Sequence, residues 1–379
     1  FPLIMLLQMT SAGAMGGGVS SAIARALGSG DVQAARRLVV HALVIAAAMA
    51  AAFTLLVLGF QESLYSLLGG RGDALQNALR YSSVVFAGAI TVWIANTLSS
   101  ILRGTGNMGV PAAALIGAAL LHLPLSAVLT ARIGIAGAGI AYVTAFGVAA
   151  LAMACVVFRR ASALRPHAAD LRLDPRLFGE ILRVGGLSAL SAFQTVLTAV
   201  ILTGFVGRHG AAALAGYGVG LRLELLQIPL VFAVGQALVV LVGTHVGAGD
   251  AARAKRIAWT GAAFAAAICL AIGVTAALAP LAWMGLFSDD AAVLASGSLY
   301  LRSVAPFYPL LAAGIALYFA SQGAGRVLWP VLAGTVRLAL VVAGGLLAAS
   351  LGAIFAVIAG AMAAFGLLTM WFVARADWR

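Results

Sequence analysis

The sequence predicts an all-α polytopic membrane protein made of two similar halves, and three observations predict it. Of the 379 residues, 63% are hydrophobic and only 9% are charged, and the mean hydropathy is +1.08. Apolar runs of about 20 residues, the length with which a helix crosses a hydrocarbon core of about 30 Å, follow one another along the chain. A Gly-rich turn also recurs after 219 residues, the distance from Gly28 to Gly247.

Helices must carry these apolar runs, because a lone apolar strand leaves its backbone groups without hydrogen bonds in lipid. Most runs are apolar on all sides, whereas the helices of a soluble protein alternate apolar and polar faces. We predict eleven membrane helices, at residues 2–24, 38–61, 81–102, 109–130, 134–158, 182–207, 214–246, 257–285, 294–320, 328–349 and 353–374.

Most connections between the predicted helices are short turns. The exception is a segment rich in Arg, Asp and Pro at 159–181, which is predicted to be a cytoplasmic linker between an N-terminal helical lobe, 1–158, and a C-terminal helical lobe, 182–379. The chain starts with Phe1 and its first apolar run begins at once. We therefore expect the N-terminus to be truncated.

The repeated feature is a G-x-G-D turn with basic residues behind it. Its two copies are Gly28, Gly30 and Asp31, and Gly247, Gly249 and Asp250. Gly tolerates the positive φ of a tight reversal, and the Asp is expected to cap the helix that follows. A phosphate-binding loop is a weaker alternative, because neither copy continues as G-K-[ST]. At the same offset, the partner of helix 182–207 falls before residue 1. Two pseudo-symmetric six-helix lobes with the first helix missing are therefore predicted.

The basic residues predict the orientation. The net charge is +12, yet most Lys and Arg lie at helix ends, which argues against a nucleic-acid partner and follows the positive-inside rule. If the linker is cytoplasmic, most of the basic residues, Arg160 and Arg379 among them, lie inside. Those on the outer side are Arg71, Arg80, Arg132 and Arg208. We expect a multi-pass protein of the inner membrane with a cytoplasmic C-terminus.

One acidic residue, Glu224, lies well inside a predicted membrane helix. Its distance from the outer end of that helix is about 15 Å at about 1.5 Å per residue, near the middle of the bilayer. Arg337 reaches a similar depth from the opposite side, whereas Arg222 projects from another face of the Glu224 helix. Two interpretations remain open. Glu224, tuned by Arg337 and less directly by Arg222, binds the coupling ion, or the charges form a static pair that only fixes helix packing.

Other polar side chains within the predicted spans are candidates for a substrate cavity. They are Gln8, Asn96, Gln194, Gln227, Tyr308 and Gln322. Each of them alone is more often an interhelical hydrogen bond than a substrate contact. No paired carboxylates, metal-ligand cluster or nucleophile with a base occurs in the spans, so an enzyme is disfavoured and neither a catalytic nor a metal site is predicted.

Several motifs in the right order resemble the multidrug and toxic compound extrusion (MATE) transporters. They are the two G-x-G-D turns, Arg103-Gly104-Thr105-Gly106-Asn107 with Ser321-Gln322-Gly323-Ala324-Gly325-Arg326, and Gly218-x-Gly220-x-Arg222-x-Glu224. The resemblance implies two six-helix lobes that face each other across a central cavity. It also implies an antiporter that exports small organic, often cationic, drugs or metabolites in exchange for H⁺ or Na⁺. In many members of this family the first helix carries an acidic residue important for coupling, and that helix is the one expected to be missing from this sequence.

The expected partners are small organic substrates and membrane lipid, the expected oligomeric state is a monomer, and no cofactor beyond the coupling ion is expected. Two lobes with Pro- and Gly-containing helices suit alternating access around a midplane site. A lipid-linked sugar flippase of the same wider superfamily is the alternative. Such a flippase is expected to need a cationic cavity for its anionic headgroup, and the arginines within the spans are only Arg222, Arg302 and Arg337.

Overall fold

The computed structural model describes residues 2–67, 69–159 and 162–378, so Arg160 and Arg379 lie outside the described residues. Within these ranges every regular element is a helix, as predicted. The chain divides into two compact units, 1–186 and 187–379.

The first unit begins with α1, which continues through a π-helical segment into α2. The bounds are α1 Pro2–Gln8, the π-helix Met9–Met15, α2 Gly16–Gly28, α3 Val32–Leu67, α4 Gly72–Ala87, α5 Ala89–Gly104, α6 Gly109–Ile133, α7 Ile135–Phe158 and a 3₁₀ turn at Ala168–Leu171. The buried core of this unit includes Phe86, Trp93, Leu98 and Ile101.

The second unit starts within α8, a helix that begins in the first unit. The bounds are α8 Pro175–Gly207, α9 Ala211–Gly247, α10 Ala251–Leu278, α11 Pro280–Met284, α12 Ala291–Val304, a 3₁₀ turn at Ala305–Phe307, α13 Tyr308–Gly323, α14 Leu328–Leu347 and α15 Leu351–Arg375. The core of this unit includes Tyr300, Tyr308 and Phe355, all nearly inaccessible.

Within the described ranges, ten helical stretches are long and apolar enough to cross a membrane, and the bent pair of α4 and α5 makes an eleventh span. The count agrees with the eleven predicted helices. Several predicted helices differ in detail from the observed ones. Helix 81–102 belongs to a longer span that bends by 52° at Gly88. Helix 257–285 ends at Leu278, because Pro280 has no N–H to continue the hydrogen-bond ladder and instead begins α11.

The two G-x-G-D turns have the same geometry. Gly30 and Gly249 take φ of +78° and +80°, in the left-handed region that only Gly occupies at low cost. In each copy the Asp Oδ1 accepts a hydrogen bond from the backbone N–H three residues later, at 2.8 Å for Asp31 and 2.9 Å for Asp250. The predicted reversal and helix cap are therefore both present.

The helix boundaries repeat at the same offset. Gly28 ends α2 and Gly247 ends α9, and α5 corresponds to α13 residue for residue. The bend at Gly88 corresponds to the 3₁₀ turn Ala305–Phe307, which likewise interrupts the span formed by α12 and α13. A break at matching positions indicates that the interruption belongs to the repeated unit and not to one local sequence.

The polar segment after α7 is bound to the start of α3. Arg37 Nη2 forms an ion pair with Asp174 Oδ2 at 3.1 Å, and Arg36 Nε donates to the carbonyl oxygen of Ala163 at 2.8 Å. The buried ring of His41 accepts a hydrogen bond at Nε2 from the Asp174 N–H, at 2.8 Å. This segment therefore packs on the first unit through specific polar contacts.

Helix α8 begins at Pro175, before the predicted start at residue 182. Pro fits the first helical position because its missing N–H would have no partner there. Asp174 Oδ1 also accepts a hydrogen bond from the Arg176 N–H at 2.9 Å, which stabilises the first turn. The last part of the predicted 159–181 linker is consequently helical.

Candidate functional site

Glu224 lies on α9 and is half-buried in the second unit. Its carboxylate oxygen Oε2 accepts a hydrogen bond from the phenol of Tyr300 on α12, at 2.8 Å. Glu224 makes no other hydrogen bond and no ion pair with any described residue, so Oε1 accepts no hydrogen bond from the described chain. A carboxylate within an apolar span thus has one strong donor and one oxygen left for an exchangeable ion.

The close approach of α9 and α12 brings Tyr300 to Glu224. Gly216 and Gly220 are four residues apart on α9, the small-xxx-small spacing that lets membrane helices pack closely. A Cβ on Gly216 would lie 2.6 Å from the Val293 carbonyl oxygen, and one on Gly220 would lie 2.3 Å from Tyr300 Cδ1. Any larger residue at either position would push Tyr300 away from the carboxylate.

Aromatic rings hold the phenol of Tyr300 in place. The Tyr300 ring meets Tyr217 edge-to-face at a centroid distance of 5.3 Å and Phe355 at 5.2 Å. Tyr300 is completely buried, so its rotamer is fixed by packing. The hydrogen-bond donor therefore has a fixed position relative to the carboxylate.

Arg337 lies on α14 and its charge acts on Glu224 without a contact ion pair. Its guanidinium carbon lies 6.0 Å from the centroid of Phe365, and its Nε atom is buried without a hydrogen-bond partner among the described residues. In a low-dielectric environment, a nearby positive charge that is not in contact with a carboxylate still lowers the affinity of that carboxylate for a cation. Glu224 and Arg337, which were predicted to lie at the same depth, are thus near each other, but they do not form a contact ion pair.

Arg222 is placed differently from Glu224, as its position two residues away predicts. It is exposed, and its guanidinium carbon lies 5.2 Å from the centroid of the Phe287 ring. No described carboxylate forms an ion pair with it. The structure therefore brings Glu224 and Arg337 into one cluster and leaves Arg222 outside it.

Two of the predicted cavity residues meet in the first unit. Asn96 Nδ2 donates to Gln8 Oε1 at 2.9 Å and to Ser11 Oγ at 2.8 Å, and Gln8 Nε2 donates to the Tyr142 hydroxyl at 2.5 Å. The His122 ring lies 5.9 Å from that of Tyr142, edge-to-face. These side chains form a polar network beside the π-helix, a distortion that is common at functional sites.

The remaining cavity candidates do not form one group in the second unit. Gln194 Nε2 donates to the Thr335 hydroxyl at 2.8 Å, and Gln322 Nε2 donates to Ser188 Oγ at 2.9 Å. Gln227 donates to the Leu223 carbonyl oxygen of its own helix at 3.3 Å. The first two contacts are interhelical hydrogen bonds, the alternative that the sequence already favoured.

Tyr308 is buried on α13 and interacts electrostatically with Tyr300 and Glu224. Of the residues predicted for the cavity in the second unit, it is the one that belongs to the Glu224 cluster. Tyr217 and Tyr300 complete this cluster, and the sequence analysis missed both. Two signals in the sequence could have identified them. The Gly216–Gly220 spacing predicts a close helix contact on α9, and Glu224, which follows it, needs a polar partner from the helix that packs there.

The comparisons with known proteins agree with this architecture. The MatE family model matches residues 1–128 and 188–347. A FAD transporter of Shewanella oneidensis is 26% identical over 327 residues, which cover 85% of this chain and 72% of that protein. The Probable multidrug resistance protein NorM of Thermotoga maritima is 24% identical over 323 residues, 83% of this chain and 69% of that protein.

The fold is also similar to a crystal structure of MATE in the bent conformation. The TM-score is 0.93 at 23% sequence identity, with 99% of this chain and 85% of the other covered. That likeness shows the fold, and the family model, which matches most of the chain, shows the family. The chain belongs to the MatE family and is a multi-pass membrane transporter.

Proposed function

We propose that this protein is a secondary antiporter that exports small organic molecules in exchange for H⁺ or Na⁺ by alternating access. We also propose that it resides in the inner membrane with its C-terminus in the cytoplasm. Membership of the MatE family supports the transporter class. The relative named as a multidrug resistance protein supports drug-like organic substrates, whereas the FAD transporter makes an anionic flavin nucleotide the second substrate to test.

The observation that carries the proposal is the incomplete set of partners around Glu224. A carboxylate in a membrane span is costly unless it is neutralised, so a static site would be expected to pair it directly with a base. Here one phenol binds one oxygen, no described residue donates to the other oxygen, and Arg337 stays beyond ion-pair distance. This arrangement favours a site that takes up and releases H⁺ or Na⁺.

Arg337 has a definite role in this proposal. Its positive charge opposes a bound cation, so it keeps the affinity of Glu224 low enough for release on the far side of the membrane. A coupling site needs intermediate affinity, because an ion that never leaves cannot drive export. Glu224 therefore carries the ion and Arg337 sets how tightly it is held.

The test is drug efflux from proteoliposomes that contain the purified 379-residue chain. Ethidium and FAD are loaded in separate experiments, and either a proton or a sodium gradient is applied. Glu224→Gln is expected to abolish gradient-driven efflux, because the amide is neutral and cannot exchange an ion. Glu62→Gln is the matched control, since Glu62 is exposed on α3 and outside the site.

Unchanged gradient-driven efflux by Glu224→Gln at normal protein stability would remove Glu224 from the coupling mechanism. Loss of efflux together with a lowered unfolding temperature would instead favour the static role of the Glu224 cluster. A third result, in which neither compound moves under any gradient while a labelled polyprenyl-phosphate sugar crosses the bilayer, would favour the flippase alternative.

A further inference from the structure

A groove runs along the surface between α9 and α10 in the second unit. Its volume is about 810 Å³. Apolar side chains line most of it: Val234, Leu238, Leu241, Ile257 and Phe264. Leu241 and Phe264 are 48% and 59% exposed, so the groove is open along its length.

One end of this groove is positively charged. Arg253 and Arg256 line it there, at the start of α10, and both are exposed. Neither guanidinium makes a hydrogen bond or an ion pair with any residue that the structure describes. Asp250 is the acid in the lining, and its Oδ1 already accepts the Arg253 N–H at 2.9 Å. The groove thus joins an apolar channel to two free arginines.

The internal repeat shows what the equivalent arginine of the first unit binds. Arg256 corresponds to Arg37 in the first unit, and Lys255 corresponds to Arg36. Arg37 forms an ion pair with the carboxylate of Asp174 at 3.1 Å, so the chain itself supplies an anionic oxygen at that position. Lys255 donates to a backbone carbonyl oxygen, as Arg36 does. Among the described residues, no carboxylate pairs with Arg256 as Asp174 pairs with Arg37.

We propose that the α9–α10 groove binds one anionic phospholipid. The phosphate contacts Arg253 and Arg256, and one acyl chain lies along the apolar wall toward Phe264. From Arg256 to Phe264 the helix rises about 12 Å, which accommodates a substantial part of an acyl chain. Both arginines lie in the first turns of a membrane span, the depth at which lipid phosphates are found.

The chemistry of the groove selects this occupant over others. A free phosphate would use the arginines and leave the apolar wall uncovered, whereas a zwitterionic lipid would cover the wall and gain less from the two positive charges. A guanidinium can donate two parallel hydrogen bonds to phosphate, so two arginines hold the headgroup in a defined orientation. The proposal does not depend on how transport is coupled.

The test is lipid binding to the purified chain in detergent, followed by native mass spectrometry. The probes are dioleoyl-phosphatidylglycerol and dioleoyl-phosphatidylcholine, and the first is expected to be retained in preference. The double variant Arg253→Gln, Arg256→Gln should weaken phosphatidylglycerol binding roughly thirty-fold, since each basic residue near an anionic lipid contributes a factor of about five. Thr260→Trp, which fills the groove without removing charge, should weaken binding of both lipids.

Arg208→Gln is the matched control, because Arg208 is also an exposed arginine of the second unit but lies in the turn before α9, with its guanidinium over Phe205. It should leave lipid binding unchanged. Equal retention of both lipids by the unmodified chain, or full retention of phosphatidylglycerol by the double variant, would overturn the proposal. Displacement of the lipid by millimolar glycerol phosphate would assign the arginines to a free phosphate instead and would also overturn it.

Discussion

At the scale of single residues, Tyr300 and Glu224 show how the two halves of a repeated protein can differ in their ionisable groups. Tyr300 corresponds to Tyr81 in the first unit, but Glu224 corresponds to Met5 and Arg337 to Ala118. The phenol is therefore shared by both halves, and the charges are confined to the second. The charges of the Glu224 cluster therefore have no equivalent in the first half of the sequence.

The hydrogen bond between these two residues leads to the first prediction. Tyr300→Phe keeps the ring and its packing but removes the donor at 2.8 Å from Glu224. A hydrogen bond to a charged group contributes about 1.5–3 kcal/mol and stabilises the ion-free carboxylate, so its loss should tighten ion binding, and the ion concentration for half-maximal efflux should fall roughly tenfold or more. Proteoliposome efflux at varied Na⁺ and pH measures this shift. Tyr217→Phe is the control, because the Tyr217 hydroxyl makes no hydrogen bond with any residue that the structure describes, and an equal shift in this variant would contradict the prediction.

Sequence reasoning finds charged residues at this scale better than their neutral partners. Glu224 and Arg337 are conspicuous because an ionisable group in an apolar span is energetically costly and usually has a function. Tyr300 is not conspicuous, since an aromatic residue in such a span is usually a packing residue. The contact between them depends on which faces of α9 and α12 meet, and that is set by the shapes of Gly216 and Gly220 rather than by polarity.

At the scale of elements, the contact between α3 and the segment before α8 depends on pH. The pKa of Asp174 lies below its usual range, because the carboxylate accepts a hydrogen bond from the Arg176 N–H and faces the Arg37 guanidinium. A carboxyl group whose pKa is lower in the folded state stabilises that state above its unfolded pKa. This contribution is lost as the pH falls through the folded pKa.

The second prediction follows from the lowered pKa of Asp174 in the folded state. Asp174→Asn should raise amide hydrogen exchange in residues 162–174 at neutral pH, because the ion pair with Arg37 is gone. The difference between the variant and the unmodified chain should shrink as the pH falls below the ordinary range of an Asp, where the native carboxyl group is also neutral. Exchange mass spectrometry at matched intrinsic rates measures it. Asp289→Asn serves as the control, and a difference that persists unchanged in acid would contradict the role of the ion pair.

The bend between α4 and α5 yields the third prediction. A Cβ on Gly88 would lie 2.5 Å from both methyl carbons of Val143 on α7, and a β-branched side chain has few rotamers with which to move away. Gly88→Ala should therefore lower the free energy of unfolding by about 1–3 kcal/mol. Thermal unfolding in detergent measures this, and Val143→Ala in the same chain should restore much of the loss. Gly147→Ala, where the nearest atom is Thr91 Cγ2 at 3.7 Å, should have little effect, and an equal loss there would show that the close contact is not the cause.

At the scale of the whole molecule, the repeat was the most predictable feature. The fixed offset between the G-x-G-D turns predicted the two φ-positive reversals and their Asp caps, because a glycine turn and its cap are local chemistry. The helix breaks were not predictable in the same way. Gly88 looks like any other Gly in an apolar span, and its bend is visible only once α7 is packed against it.

The orientation of the chain follows from a comparison of the two ends of α9. Arg208 precedes this span, whereas Arg253, Lys255 and Arg256 follow it. Charge bias in short loops near the ends of a span sets which end stays in the cytoplasm. We therefore predict that residue 209 faces the outside and residue 248 the cytoplasm. Both positions are exposed in turns, which makes them suitable for labelling.

Cysteine accessibility labelling tests the predicted orientation of α9. Cys155 and Cys269 are replaced by Ser, and His209→Cys or Ala248→Cys is introduced separately. A membrane-impermeant maleimide applied to intact cells should label the cysteine at 209, and the cysteine at 248 should react only after permeabilisation. Because one span separates the two positions, each serves as the control for the other. The reverse pattern would invert the orientation of the whole bundle, and equal labelling of both in intact cells would mean that α9 does not cross the membrane.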